Sequence, residues 1–291
     1  MSDIDLHTHS TASDGSLTPR ELILAARQAG LRALALTDHD TTSGLREAVH
    51  AGRDIGVEVI PGCELSVSSP SGHMHLLGLW IPEHPQWLLT LLERVRGLRR
   101  ERNDQMLAAL RTLGIAIDHN EVKAAAGGES IGRPHIAQVL VDKGVVPDFD
   151  QAFHELIGSQ GAAYVPKAKL TPGEAISALK KEQATVILAH PFSLGMSQKA
   201  FLKHISELKE RGLDGLEVYY PEHSPEQTAF FARTARELGL VPSGGSDFHG
   251  RIKPGIHLGT GRGGLDLPYA LLSRIKDRRR QMGLGLEVNW S

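Results

Sequence analysis

At 291 residues, the chain is long enough for one large α/β barrel or two ordinary domains, and its 41% hydrophobic content is typical of a folded globular protein. The formal net charge of −2 gives no general attraction for nucleic acid, so an anionic substrate must be attracted by local features of a site. The single cysteine, Cys63, excludes an intrachain disulfide, and no apolar stretch approaches the roughly 20 residues that span a bilayer. We expect a cytoplasmic protein without membrane contact, since Asp3-Ile4-Asp5 stands where a signal peptide would carry basic residues.

Short apolar runs that lead into polar residues predict seven buried strands, at 4–9, 33–39, 57–64, 73–79, 185–190, 216–219 and 241–247. Helical patterns lie between them. Thr18 is a predicted N-cap, with Pro19 at the first helical position and Glu21 completing a capping box, and Gly30 ends this helix. Thr171 begins the same signal again. The alternation of strands and helices predicts a (β/α) barrel.

The segment 86–160 breaks this alternation, because it contains only helical patterns, near 87–113, 118–126, 134–143 and 148–157. We therefore predict that 1–85 and 161–291 form the barrel and that 86–160 is an inserted helical subdomain. An insertion that follows a barrel strand is expected to cap the substrate.

Nine potential metal ligands are scattered along the chain, each at or just beyond a predicted strand. The pairs His7/His9 and Asp247/His249 have i, i+2 spacing, which on an extended strand points both side chains to one face. In barrels the active site forms at the C-terminal ends of the strands, where these residues lie. The set combines imidazole with carboxylate and contains no thiolate, and these ligands favour Mn, Fe or Zn over Ca or Mg. The sequence therefore predicts one polynuclear metal site made from His7, His9, Asp14, His39, Glu64, His75, His190, Asp247 and His249.

The strings around these ligands resemble the PHP (polymerase and histidinol phosphatase) family of metallophosphoesterases: His7-Thr8-His9-Ser10, Ser13-Asp14-Gly15, Leu36-Thr37-Asp38-His39-Asp40, Pro61-Gly62-Cys63-Glu64, Ala189-His190-Pro191 and Gly245-Ser246-Asp247-Phe248-His249. Within the family, the chain is most similar to the TrpH-type group, which acts on nucleoside 3',5'-bisphosphates and on the 5' ends of short RNA. The strings that carry this second resemblance are His75-Leu76-Leu77-Gly78, Gly132-Arg133-Pro134-His135 and Tyr164-Val165-Pro166-Lys167.

The resemblance implies a distorted (β/α)7 barrel that binds two or three divalent metal ions, with manganese preferred and iron or zinc as alternatives. It implies a first metal on His7, His9, Glu64 and Asp247, a second on Glu64, His75 and His190, and a third on Asp14, His39 and His249. The catalytic candidates are Glu64, Asp247 and His249. A hydroxide that bridges the metals is the expected nucleophile, and no general acid is assigned.

Six residues are candidates for binding the substrate. Arg133 and Lys167 are suited to phosphate, because Arg offers a bidentate fork and Lys a point charge. The weaker candidates are His135 and Arg20 for phosphate and Tyr220 and His223 for stacking on a base. Ordinary surface ion pairs and packing against the barrel rim are the alternatives for these positions.

The leading prediction is a phosphoesterase that converts nucleoside 3',5'-bisphosphates, such as adenosine 3',5'-bisphosphate, to AMP and phosphate, with 5'–3' trimming of short RNA as a related activity. The partner is then a small nucleotide or a short RNA, with no stable nucleic-acid complex and no obligate protein partner. A histidinol-phosphate phosphatase shares the motifs but gives no reason for a helical insertion. A metal-dependent amidohydrolase is an alternative because such barrels also begin with His-x-His. A non-catalytic metal or nucleotide module is disfavoured by the intact ligand set.

Overall fold

The computed structural model describes residues 2–126, 132–166, 169–287 and 290. The chain divides into two compact units. Unit 1 comprises Met1–Leu92 and Leu170–Ser291, and unit 2 comprises Glu93–Lys169. No helix among the described residues is both long and apolar enough to cross a membrane.

All seven predicted strands are present in one curled, half-barrel sheet of unit 1, in the order of the chain: β1 (Ile4–Thr8), β2 (Ala33–Leu36), β3 (Glu58–Val67), β4 (Met74–Leu79), β5 (Thr185–Leu188), β6 (Gly215–Tyr219) and β7 (Val241–Gly244). The strands are parallel except β4, which runs antiparallel to both β3 and β5. The predicted regular alternation of parallel strands and helices is therefore wrong at β4. Only residues 68–73 connect β3 to β4, and a parallel crossover needs about a dozen or more residues.

The described helices are α1 (Pro19–Gln28), α2 (Leu45–Ile55), α3 (Gln86–Thr112), α4 (His119–Ala126), α5 (Arg133–Asp142), α6 (Phe149–Gln151), α7 (Pro172–Lys181), α8 (Gln198–Glu210), α9 (Pro225–Glu237) and α10 (Tyr269–Gln281). A π-helical turn, Ala152–Ile157, continues α6. Both predicted capping boxes are confirmed: the hydroxyls of Thr18 and Thr171 accept from the backbone N–H of Glu21 and Glu174, whose carboxylates accept from the cap N–H.

Each unit has its own apolar core. In unit 1, the core joins the strands to α10 through side chains such as Leu6, Leu77 and Leu272, which are fully buried. In unit 2, Leu110 and Leu140 belong to a separate cluster formed by α3, α4, α5 and the π-helical turn. Full burial of one such side chain contributes roughly 1.5–3 kcal/mol, so each core supports its unit and, in unit 1, fixes the strand ends that carry the polar site.

Candidate metal centre

Glu64 lies at the centre of the polar cluster and is fully buried on β3. Its Oε2 atom lies 3.2 Å from Nε2 of His7 and 3.2 Å from Nε2 of His9, the two histidines at the end of β1. The same two imidazole nitrogens lie 3.6 and 3.3 Å from Oδ1 of Asp247. Two histidines and two carboxylates therefore converge on one small volume.

The other oxygen of Glu64 meets a second pair of histidines. Oε1 lies 2.8 Å from Nδ1 of His75 and 3.1 Å from Nε2 of His190. His75 comes from β4, which is paired with β3, whereas His190 follows the end of β5. The two oxygens of one carboxylate thus separate two groups of imidazoles, as a carboxylate that bridges two cations would.

A third group surrounds Asp14, whose side chain is 55% exposed. Its carboxylate lies 3.2 Å from Nε2 of His249, 3.8 Å from Nδ1 of His9 and 3.9 Å from Nε2 of His39. His39 also places Nδ1 3.1 Å from Oε2 of Glu64. His9 and His39 therefore connect this outer group to the buried one.

Several buried polar atoms of the cluster make no hydrogen bond with any described residue: His7 Nε2, His9 Nδ1 and Nε2, His39 Nδ1 and Glu64 Oε2. They approach each other closely but lack hydrogen-bond geometry. Leaving one such atom unsatisfied typically costs about 1–3 kcal/mol, so these five atoms fit a shared partner such as a cation. Three sets of side chains here offer ligand atoms within 4.8 Å of one another: His9, Asp14, His39 and His249; His7, His9 and Glu64; His39, Glu64 and His75. Imidazole and carboxylate donors without thiolate fit a divalent transition metal.

The acids and bases of the cluster influence one another strongly. Burial acts to raise the pKa of Glu64, but the surrounding imidazoles, led by His39 and His7, hold it well below its usual range. Burial acts to lower the pKa of His9, but contacts with the carboxylates of Asp247 and Glu64 outweigh it and raise this pKa to about 9. Burial dominates for His39 and lowers its pKa to about 3. Protons and metal ions therefore compete for the same nitrogen atoms.

Further polar groups contact the histidines at the ring nitrogen that does not face the cluster. Glu217, buried on β6, accepts from Nδ1 of His7 at 3.0 Å and from the backbone N–H of His190 at 2.6 Å. The hydroxyl of Ser193 lies 3.0 Å from Nδ1 of His190, and the carbonyl oxygen of Asp247 lies 2.8 Å from Nδ1 of His249. The oxygen atoms of Glu217 and of the Asp247 carbonyl can only accept, so they hold the proton on Nδ1 of His7 and His249. The Ser193 hydroxyl already donates to the carbonyl oxygens of His73 and His190, so it accepts from Nδ1 of His190. Nε2 of each ring is left directed into the cluster, as ligating histidines require.

The prediction that Asp247 and His249 sit on an extended strand is wrong. β7 ends at Gly244, and Asp247 has φ 56°, in the left-handed region that non-glycine residues rarely adopt. Gly245 allows the approach, because a Cβ there would collide with the backbone and Cβ of His7. The backbone N–H of Asp247 then donates to the carbonyl oxygen of His7 at 2.9 Å. A strained turn, instead of strand alternation, brings the pair to the cluster.

Buried carboxylates also support the ligand loops. Asp5 accepts from the backbone N–H and the hydroxyl of Ser246 and from the N–H of Gly259. Asp38 accepts from the backbone N–H and hydroxyl of Ser10 and from the hydroxyl of Ser13 at 2.6 Å. Asp38 therefore holds the loop between His9 and Asp14, two of the predicted ligands.

Tyr220 and His223, predicted to stack on a base, lie beside the ligands. The Tyr220 side chain is only 8% exposed, and its hydroxyl donates to Oδ2 of Asp247 at 2.8 Å. Burial and the neighbouring carboxylate raise its pKa well above the usual range, so the hydroxyl stays a donor. Nδ1 of His223 donates to the carbonyl oxygen of Val218 at 2.9 Å, and its ring packs against Phe192 and Phe231.

The other predicted substrate residues are not brought to this cluster by any described contact. Arg20 forms an exposed ion pair with Asp54 at 3.1 Å. In unit 2, the Arg133 guanidinium lies 5.4 Å from the centre of the Phe153 ring, and Nδ1 of His135 accepts from the N–H of Gly132 at the start of α5. Lys167 lies outside the described residues.

Sequence reasoning missed two groups. Glu217 is a charged residue within a predicted buried strand, and such a residue requires a buried partner; this signal could have found it. Lys253 follows the last ligand by four residues and places Nζ 2.6 Å from Oδ2 of Asp247. Nothing in its sequence context distinguishes it from a surface lysine.

A model of the PHP domain matches residues 5–108. A 5'-3' exoribonuclease of Haemophilus influenzae is 37% identical over 84% of this chain and 89% of that protein, and a 3',5'-nucleoside bisphosphate phosphatase of Chromobacterium violaceum is 35% identical over 89% and 91%. The chain belongs to the PHP family. The predicted family is thereby confirmed.

Two solved structures cover nearly the whole chain. One is a proposed metal-dependent phosphoesterase from Bifidobacterium adolescentis, with a TM-score of 0.74, 30% identity and coverage of 95% of this chain and 96% of that one. The other is an amidohydrolase from Chromobacterium violaceum with bound sulfate and no metal, with a TM-score of 0.72, 33% identity and coverage of 94% and 97%. Both therefore resemble this chain along most of its length.

Proposed function

We propose that this chain is a metal-dependent phosphoesterase that removes the 3'-phosphate of nucleoside 3',5'-bisphosphates and releases the nucleoside 5'-phosphate. The observation that carries the proposal is the division of Glu64 between two groups of histidines: Oε2 meets His7 and His9, and Oε1 meets His75 and His190. Two cations held side by side in this way are the usual arrangement for displacement at phosphorus. The 35% identical bisphosphate phosphatase supports the choice of substrate.

The ligand assignment that we propose has three sites. The first comprises His7, His9, Glu64 and Asp247, the second Glu64, His75 and His190, and the third Asp14, His39 and His249. The hydrogen-bonded Nδ1 atoms of His7, His190 and His249 support Nε2 as the ligand atom in each. Manganese is our preferred metal, because the oxygen and imidazole donors suit it and a nucleotide substrate adds further oxygen atoms.

Divalent cations bound here would supply Lewis-acid charge and activate water for attack on a phosphate ester. The protein's own contribution is orientation. Glu217 holds His7 and the backbone of His190 in one arrangement, so ligands from β1 and β5 keep a fixed separation. Asp14 is the exposed member of the cluster, and the substrate phosphate is expected to enter from this side.

We also propose that the sheet closes as a distorted (β/α)7 barrel. A parallel bridge joins Thr8 to Phe248, and the N–H of His9 donates to the carbonyl oxygen of Phe248 at 2.9 Å. These contacts link the end of β1 to the chain that follows β7, next to the ligands. Arg133 of unit 2 stays a sequence-based candidate for a phosphate contact, for which a higher KM in Arg133→Met is the test.

A second activity, 5'–3' trimming of short RNA, is supported by the 37% identical exoribonuclease. It needs no different chemistry, because both reactions break a phosphate ester at the same kind of centre. Hydrolysis of a C–N bond is a distinct alternative, given the neighbour named as an amidohydrolase.

The experiment is product identification after incubation of Mn²⁺-loaded protein with adenosine 3',5'-bisphosphate, with a 5'-phosphorylated RNA pentanucleotide in parallel. The proposal predicts 5'-AMP and phosphate. Release of adenosine 3'-phosphate, or no turnover of the bisphosphate while the RNA is shortened, would contradict it. In the same assay Glu64→Gln should lose turnover, whereas its matched control Glu226→Gln, which changes an exposed carboxylate of α9 bonded to the Ser224 hydroxyl, should behave as wild type.

A further inference from the structure

The two oxygens of Asp247 have different surroundings. Oδ1 faces the imidazoles, at 3.3 Å from Nε2 of His9 and 3.4 Å from Nδ1 of His249. Oδ2 faces away from them and accepts two hydrogen bonds, from the hydroxyl of Tyr220 at 2.8 Å and from Nζ of Lys253 at 2.6 Å. A carboxylate whose second oxygen is occupied by two donors can offer only the first to a metal ion.

The two donors approach from different environments. Tyr220 is buried beside the ring of His190, at 5.6 Å between ring centres, whereas the Lys253 side chain is 43% exposed. The Asp247 side chain is only 7% exposed. Lys253 therefore brings a positive charge from the solvent side to the rim of a cluster whose other described charged members are carboxylates and histidines.

Lys253 is also tied to the strained part of the ligand loop. Asp247 has a positive φ, and a short 3₁₀ turn, Gly250–Ile252, connects His249 to Lys253. A side-chain contact from Lys253 back to Asp247 closes this loop across six residues. The contact therefore helps to hold both the carboxylate and the backbone conformation that presents it.

We propose that Lys253, together with Tyr220, is a positioning residue that restricts Asp247 to metal ligation through Oδ1 alone. Freed from both donors, Asp247 would rotate or bind through both oxygens, which would change the number of ligand atoms around the first metal. Outer partners of metal ligands typically change metal affinity or activity by about 10- to 100-fold when removed. The effect on turnover rests on the proposed function, whereas the effect on metal coordination does not.

The test compares Lys253→Met, Lys253→Arg and the double variant Tyr220→Phe/Lys253→Met with the wild-type protein. Lys203→Met is the matched control, because the Lys203 side chain is 81% exposed on α8. Each protein is loaded with Co²⁺ for its visible absorption spectrum, which reports coordination number, and titrated with Mn²⁺ by calorimetry. kcat and KM for adenosine 3',5'-bisphosphate are measured separately.

The proposal predicts that the double variant has a changed Co²⁺ spectrum and binds Mn²⁺ or turns over roughly 10- to 100-fold less well, with a larger change in kcat than in KM. Lys253→Arg, which keeps the charge and a donor, should lose much less Mn²⁺ affinity and activity than Lys253→Met. Lys203→Met should match wild type. A wild-type spectrum and wild-type Mn²⁺ affinity in the double variant would overturn it. If the double variant does not fold, the same comparison is made with each single variant. Absence of nucleotide turnover in the wild type would refute the proposed function and leave the spectroscopic test intact.

Discussion

Replacement of Glu64 by glutamine tests the centre of the cluster. The carboxylate is fully buried and has five imidazole nitrogens within 3.2 Å, from His7, His9, His39, His75 and His190. Glutamine keeps the size of the side chain but removes the charge, and its amide NH₂ must face one of the two histidine groups as a donor. Both of the metal positions that share Glu64 would lose an anionic ligand at once.

The magnitude follows from this geometry. Loss of a supporting outer residue alone typically costs about 10- to 100-fold, so loss of a shared ligand should lower kcat/KM by at least roughly 100-fold. In the metal-free protein, the substitution removes a charge that stabilises buried, protonated histidines. Breaking a buried ion pair costs roughly 3–5 kcal/mol, which corresponds to a fall of about 6 °C or more in Tm for a protein of this size.

The assay combines phosphate release from adenosine 3',5'-bisphosphate, Mn²⁺ content after dialysis and thermal melting with and without EDTA. Glu226→Gln should behave as wild type in all three. A Glu64→Gln protein that keeps wild-type Mn²⁺ content and activity would show that this carboxylate is not a metal ligand. A protein that loses activity but keeps its metal would show that Glu64 has a role other than bridging.

Three further outcomes follow from the structure. Glu217→Gln should lower Mn²⁺ affinity roughly 10- to 100-fold, because an amide orients His7 less strongly than a carboxylate does; calorimetry measures this, and unchanged affinity would contradict it. The gain in Tm on adding Mn²⁺ should grow as pH rises from 6.5 to 9. The pKa of His9 in the metal-free protein is about 9, so over this window His9 loses the proton that stabilises the metal-free fold and competes with the metal. Scanning fluorimetry measures the gain in Tm, and a gain that stays constant with pH would contradict the prediction. Asp5→Asn should lower the free energy of unfolding by about 1–3 kcal/mol, because one amide oxygen cannot replace both acceptors used by Ser246 and neighbouring N–H groups. Urea denaturation of the metal-free protein measures this, and a free energy of unfolding equal to that of the wild type would contradict it.

Features that depend on local physics could be predicted from the sequence. The capping boxes at Thr18 and Thr171 involve residues three positions apart, so the signal is complete within one helical turn. The strands were recognisable because buried strands are short apolar runs. The convergence of His7, Glu64 and His190 could also be predicted, because each residue lies on or just after a predicted strand and such positions converge at one end of a barrel.

Features that depend on the folded chain could not be predicted in this way. Glu217 meets His7 across 210 residues of sequence, and Lys253 contacts Asp247 only because a left-handed backbone conformation turns the loop back. The direction of β4 is set by the short connection at 68–73, and the apolar pattern of a strand carries no information about its direction. The role of the six substrate-binding candidates stays a prediction, because their partner is a molecule outside the chain.

The most direct test of the polynuclear centre is anomalous diffraction at the manganese absorption edge from crystals grown with Mn²⁺. We expect anomalous peaks on both sides of Glu64, one beside His7 and His9 and one beside His75 and His190, with a third beside Asp14 when that site is occupied. A single peak that contacts only one oxygen of Glu64, or no peak within the cluster, would contradict the claim that this carboxylate bridges two metals.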